Sequence, residues 1–130
     1  MRILIVEDET AAYENLADML VTIDPTLEIM GNTESVQQTV RWLQANPRPD
    51  LIFMDIMMPY MNGWDATRKI RTLQRPDADK IPIIAMSANA FAEDIINSHI
   101  SGMNWHLTKP IDADKLMTAL KECIRKNNIR

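Results

Sequence analysis

The sequence predicts an α/β fold, a parallel five-stranded sheet of order 2-1-3-4-5 with helices on both faces. Three observations carry that prediction. Short apolar runs recur along the chain, the plainest being Leu51–Met54, which has no polar break and is bounded by Asp50 and Asp55. Runs so short and uniform are typical of strands covered on both faces of a parallel sheet. Between the runs lie segments whose apolar residues recur at helical spacing. The alternation of strand and helix repeats five times, which forces crossover connections and hence a parallel sheet. For five strands, 2-1-3-4-5 is the common doubly wound solution.

Each element has its own justification. Ile3–Val6 is the first strand and ends in Glu7-Asp8-Glu9. The first helix follows from Ala12, Leu16, Met19, Leu20 and Ile23, and Asp24-Pro25 stops it. Leu27–Met30 is expected as a short second strand, closed by Gly31-Asn32. Thr33 is a candidate cap for a second helix with an apolar face of Val36, Val40 and Leu43, ending near Asn46-Pro47. The third strand is Leu51–Met54. Pro59 prevents a helix from running straight on. Asn62-Gly63 would signal a hairpin between alternating strands, but Ala66, Ile70 and Leu73 follow at helical spacing, so a loop into a third helix is expected. Arg75–Asp79 is a polar loop and Ile81–Met86 the fourth strand, with Ser87 at its end. A fourth helix is expected over Ala90–Ser101, terminated by Gly102. Trp105–Leu107 is a short fifth strand that places Trp105 and His106 on opposite sides. Asp112 caps a last helix with the stripe Leu116, Leu120, Cys123 and Ile124.

Composition narrows the functions. The 130 residues are 46% hydrophobic and 25% charged, as expected for one globular domain spanning residues 1–130. A net charge of −4 argues against a domain that grips nucleic acid. No apolar run approaches the roughly 20 residues of a membrane span, and Met1–Val6 meets acids too soon for a secretion signal. The single cysteine, Cys123, fits a reducing cytoplasm. The ten methionines are scattered through apolar segments and are read as core filling rather than a copper site.

Ligands in open α/β sheets bind beyond the carboxyl ends of the strands. With strands one and three adjacent, Glu7, Asp8 and Asp55 crowd together there. Three anions at one point each ionise less readily unless a cation neutralises them. A hard divalent ion such as Mg²⁺ resolves the conflict, since it binds through one or two carboxylates plus phosphate oxygens and waters. Strand four adds a hydroxyl, Ser87, and strand five an ammonium, Lys109. Acid, hydroxyl and cation at neighbouring strand ends suit a phosphoryl group. Taken singly, Glu7 and Asp8 read equally well as helix caps, Asp55 as a turn residue and Lys109 as a surface lysine.

Over nearly its whole length the chain resembles the receiver domain of two-component signalling, a flavodoxin-like three-layer sandwich. The matching pieces are Ile3-Leu-Ile-Val-Glu7-Asp8-Glu9, Asp50-Leu-Ile-Phe-Met-Asp55-Ile-Met-Met-Pro59, Met61-Asn-Gly63, Pro82-Ile-Ile-Ala-Met-Ser87-Ala88 and Lys109-Pro110. The resemblance implies that Asp55 is phosphorylated by a histidine kinase or histidine phosphotransfer protein. It implies a Mg²⁺ or Mn²⁺ pocket of Glu7, Asp8, Asp55 and the Met57 backbone carbonyl. Ser87 would then bind a phosphoryl oxygen, Lys109 would pair with carboxylate or phosphate, and the Lys109-Pro110 bond would be cis. The protein would be a cytoplasmic phosphoacceptor rather than an enzyme, assisting its own phosphorylation and dephosphorylation. It would be a monomer or a phosphorylation-dependent dimer, and its outer face around the fourth helix, fifth strand and fifth helix would switch.

Two departures stand out. The family usually has Tyr or Phe three residues before Lys109, where this chain has His106, paired with Ser87 in the expected switch. His99 is expected to face solvent. Residues 1–55 resemble receivers attached to LytTR-type regulators, whereas Met57 onward is closer to receivers of hybrid sensor kinases, as in Ala85–Asp94. A recombined or designed chimera of two receivers would account for this, as would drift within one family. Rival functions are a haloacid-dehalogenase-type phosphohydrolase, which wants an acid where Met57 stands, and a flavodoxin-like cofactor binder, which lacks its phosphate loop here. The third rival is a receiver-like binding module that works without phosphorylation.

Overall fold

The computed structural model describes residues 1–57, 63–73, 80–88 and 92–127. Five strands alternate with five helices. They are β1 (Arg2–Val6), α1 (Thr10–Ile23), β2 (Glu28–Thr33), α2 (Val36–Ala45), β3 (Leu51–Asp55), α3 (Gly63–Arg71), β4 (Ile83–Ser87), α4 (Ala92–Ser101), β5 (Trp105–Thr108) and α5 (Ala113–Asn127). The strands form one parallel sheet of order β2-β1-β3-β4-β5, as the alternation predicts.

Because strand side chains alternate, the sheet feeds two cores. Ile3, Ile5, Leu51, Phe53, Ile84, Met86 and Leu107 meet Leu16 and Leu20 of α1 and Leu116, Ala119 and Cys123 of α5. Leu4, Val6, Ile52, Met54, Ile83 and Ala85 meet Val36 and Leu43 of α2 and Ala66 and Ile70 of α3. β3 and β4 are buried along their whole length, and each such aliphatic side chain contributes about 1.5–3 kcal/mol. Trp105 packs against the α1/α5 core, on the side opposite His106, as alternation requires. α4 is held differently. It buries the hydroxyls of Ser98 and Ser101 and exposes Ile95, Ile96 and Ile100.

The two aspartates that bound β3 have separate tasks. Asp50 accepts a hydrogen bond from the Arg2 amide through Oδ2 at 2.8 Å and returns its own amide to the Arg2 carbonyl, fastening the starts of β1 and β3. Asp55 closes the other end. Gly63 opens α3 hard against it, since a Cβ there would lie 2.6 Å from the Asp55 carbonyl oxygen and 2.8 Å from Ile56 Cα. At the far end of the sheet, Arg71 donates to the carbonyls of Ile81 and Gly102 and to Asn104 Oδ1. Gly102 ends α4 with a φ of 109°, which explains the glycine there.

Two local expectations are corrected. β2 does not close at Gly31-Asn32 but runs through them to Thr33, because Leu4, Ile5 and Val6 pair with Gly31, Asn32 and Thr33 across a register shift. Sheet pairing overrides the turn propensity of that dipeptide. Thr33 is therefore a buried strand residue, its Oγ1 2.7 Å from that of Thr39, and Ser35 caps α2 by accepting from the Gln38 amide. Asp112 caps α5 as expected, accepting from the Asp114 amide. Pro59, Asn62, the Arg75–Asp79 loop, the Ala90 start of the fourth helix and the central residues of the Ala85–Asp94 stretch lie outside the described residues.

Candidate functional site

Parallel strands present their carboxyl ends together, and β1, β3, β4 and β5 deliver Glu7, Asp55, Ser87 and Lys109 to one edge of the sheet. Glu7 continues β1 past its last residue, its amide bonded to the Thr33 carbonyl at 2.9 Å. Its side chain is 1% exposed, and that of Asp55 is 6% exposed. Asp55 is thus a strand-end residue but a buried one. Asp8 stays partly exposed. One carboxylate oxygen from each of the three lies within 4.8 Å of the other two.

Lys109 threads between the two buried acids. Its Nζ donates to Glu7 Oε1 at 2.5 Å and to Asp55 Oδ2 at 3.4 Å. Two backbone amides complete the pair, Glu9 donating to Glu7 Oε2 and Met57 to Asp55 Oδ1 at 2.9 Å. The Lys109 amide donates to the Ser87 carbonyl, and the Lys109-Pro110 bond is cis. Burial and then the neighbouring Asp55 carboxyl push Glu7 above the ordinary carboxylate range, although Lys109 pulls the other way. Burial alone would lower Lys109, but the Glu7 and Asp55 carboxylates more than reverse this and hold it above its usual value. The two buried carboxyls outnumber the one ammonium between them, and partly exposed Asp8 adds a third acid, an arrangement that favours a bound cation.

The residues fit a hard divalent ion. Oxygen ligands on one Mg²⁺ lie at most about 4.2 Å apart, given bonds of about 2.1 Å, and the three acidic oxygens need to close only slightly. Among the described residues Glu7, Asp8 and Asp55 are the group with this spacing.

Of the residues singled out from sequence, Glu7, Asp8, Asp55 and Lys109 converge. The Met57 side chain is 67% exposed, and it is the backbone that faces Asp55. Ser87 is 2% exposed, and its Oγ lies 2.9 Å from His106 Nε2. Ser87 and His106, expected to be coupled in a switch, share a direct hydrogen bond. His99 is exposed, as expected. The sequence did not reveal the Met57 amide as a donor, nor the unequal burial of Glu7 and Asp8. Backbone donors leave no mark on residue identity, and adjacent acids look alike until the strand fixes which one points inward.

The response regulator receiver domain profile matches residues 3–121. The chain is 38% identical over 120 residues to the transcription factor SKN7 of Chaetomium thermophilum, covering 92% of this chain and 15% of that protein. It is 30% identical over 128 residues to the DNA-binding response regulator MtrA of Mycobacterium tuberculosis, covering 98% of this chain and 52% of that one. It therefore spans about half or less of the length of these relatives. Among solved structures, the receiver domain of the sensor histidine kinase PA1611 from Pseudomonas aeruginosa is 32% identical with a TM-score of 0.80, covering 95% of this chain and 96% of that one. That structure holds a magnesium ion coordinated in its active-site cleft.

Proposed function

Because this chain belongs to the response regulator receiver family, we propose that Asp55 accepts a phosphoryl group from a phosphohistidine on a kinase or phosphotransfer partner. The observation that carries this is the buried Asp55 carboxylate at the end of β3, with one oxygen on the Met57 amide and the other beside the Lys109 ammonium.

The chemistry follows from that placement. An Asp55 oxygen attacks phosphorus as the bond from phosphorus to the histidine nitrogen breaks, leaving an acyl phosphate and a neutral partner imidazole once a proton reaches its nitrogen. Phosphoryl transfer is catalysed mainly by positioning and electrostatics. The Met57 amide holds the carboxylate in place, and Lys109 meets the negative charge on the transferring oxygens. Glu7 fixes Lys109 from behind. Glu7, Asp8, Asp55 and the Met57 carbonyl would hold Mg²⁺ or Mn²⁺, which when bound supplies further positive charge to the phosphoryl oxygens. The chain thus assists its own phosphorylation and dephosphorylation without being an enzyme for a separate substrate. The product carries about −1.5 to −2 charge and three acceptor oxygens. Ser87 captures one of them, biasing the face built by α4, β5 and α5.

A phosphohydrolase of the haloacid dehalogenase type is disfavoured because Met57 stands where its second acid would be. A phosphorylation-independent binding module would have no need of a buried acid pair bridged by lysine. Among the described residues no helix is long and apolar enough to cross a membrane. A cytoplasmic setting, a phosphohistidine partner, no direct hold on nucleic acid and a monomer or phosphorylation-dependent dimer complete the proposal. Incubation with acetyl phosphate and Mg²⁺ followed by intact mass tests it. One added phosphoryl group is expected, lost in Asp55→Asn. Equal labelling of Asp55→Asn would move the acceptor to another acid.

A further inference from the structure

The Ser87–His106 hydrogen bond raises a question of proton direction. β4 and β5 pair so that Ala85 faces His106 and Ser87 faces Thr108, and Ser87 Oγ reaches back to His106 Nε2 at 2.9 Å. One proton lies between these two atoms. A phosphoryl oxygen is purely an acceptor, so Ser87 can hold it only by donating its O–H. When Nε2 is bare, that same O–H is committed to the imidazole. When Nε2 carries hydrogen, the imidazole donates to Oγ and the serine proton can turn to the phosphoryl group without breaking the Ser87–His106 contact.

We propose that His106 is a positioning residue for phosphoryl capture: its Nε2 sets the direction of the Ser87 hydroxyl, so that phosphorylation of Asp55 and protonation of His106 favour one another. This rests on the assignment of Asp55 as phosphoacceptor. With the neutral ring holding its hydrogen on Nδ1, the step takes up one proton from bulk water, forms one N–H bond at Nε2 and transfers no other group; a neutral ring that moved its hydrogen to Nε2 instead would leave the midpoint unchanged. Burial holds His106 toward its neutral form, against the pull of Asp94, so the unphosphorylated protein starts with the imidazole poised to gain a proton. Among the described residues, the charged and titratable groups around it are Asp94 and His99 on α4 and Asp114 and Lys115 on α5. The negative charge added at Asp55 acts in the same direction as the hydrogen bond. A Tyr or Phe at this position has no group that titrates across the same range.

The test uses beryllofluoride with Mg²⁺ as the phosphoryl mimic and follows the ring nitrogens of both histidines by NMR as pH is varied. The His106 midpoint is expected to rise when the mimic binds. By reciprocity, wild-type affinity for the mimic should gain about fivefold, relative to His106→Phe, between about pH 8 and about pH 5.5. Ser87→Ala should lose most of that gain. The inference is overturned by a His106 midpoint that does not move, by an identical pH dependence in His106→Phe, or by a Ser87→Ala protein that keeps the full rise, which would assign the coupling to charge alone. The wild-type midpoint decides the matter even if a variant folds poorly. Failure of beryllofluoride to bind Asp55 at any pH would instead overturn the phosphoacceptor assignment, and this inference with it.

Discussion

Replacing Asp55 with Asn should make the metal-free protein more stable. Asp55 lies within 4.8 Å of Glu7 and Asp8 through their carboxylate oxygens and 3.4 Å from Lys109 Nζ. At an effective dielectric of about 20, the repulsion from Glu7 is about 3.5 kcal/mol and the attraction to Lys109 about 5 kcal/mol. Asp8 is partly exposed and screened, adding about 1 kcal/mol of repulsion. The charge terms therefore nearly cancel. What survives is the cost of burying a carboxylate that is 6% exposed, several kcal/mol, set against about 1 kcal/mol for weakening the Met57 amide bond. Asp55→Asn should gain about 2 kcal/mol, roughly 6–10 °C in Tm for a domain of this size. Urea unfolding with EDTA at neutral pH measures it. The pH dependence gives an independent check. Glu7 in the folded protein releases its proton above the ordinary carboxylate range, so the folded state binds more protons than the unfolded one in that window and stability falls as pH rises through it. Without Asp55 that fall should shrink. Saturating Mg²⁺ should close the gap, since it stabilises the wild type more, by about 2.7 kcal/mol at a hundredfold excess over Kd. A metal-free Asp55→Asn protein less stable than wild type would refute the reasoning.

Three further predictions concern the same edge of the sheet. Asp8→Ala should weaken Mg²⁺ binding by about tenfold or more, as read by calorimetry, because Glu7 and Asp55 alone supply less charge; unchanged affinity would remove Asp8 from the pocket. Lys109→Met leaves Glu7 without its countercharge and should cost about 3 kcal/mol at neutral pH, a loss that urea titrations should show shrinking in acid as Glu7 takes a proton; a pH-independent loss would contradict the pairing. Gly63→Ala drives a Cβ into the Asp55 and Ile56 backbone, and should lower stability by about 3 kcal/mol and displace the metal pocket; a variant that unfolds at the wild-type urea midpoint would show that α3 can back away.

Much of this was legible in the sequence, for physical reasons. β3 and β4 are buried on both faces, so uninterrupted apolar runs announced them, and strand adjacency alone brought Glu7, Asp8 and Asp55 together. β2 runs past its expected end because Gly31-Asn32 has the composition of a turn while pairing as strand, and the strand borders only β1 in the sheet. The cap of α2 falls on Ser35 rather than Thr33 because of that same strand end. Long-range polar contacts were invisible for a different reason. Arg71 with Gly102 and Trp64 with Ser98 each join residues that no local pattern links.

The attachment of α4 has a mechanical consequence. Trp64 Nε1 donates to Ser98 Oγ at 2.9 Å, and Arg71 grips the Gly102 carbonyl, so the trailing end of α4 is bolted to α3. Its middle presents Ile95 and Ile96 to solvent and so resists tilting little. A helix held this way would act as a lever with a fixed fulcrum. Its ten residues span about 15 Å, so a tilt of about 10° carries Ala92 by about 2.5 Å while Ser101 stays in place. A sub-ångström pull on Ser87 would therefore be read farthest from the bolt, and loosening the bolt with Trp64→Phe should turn a pivot into a slide.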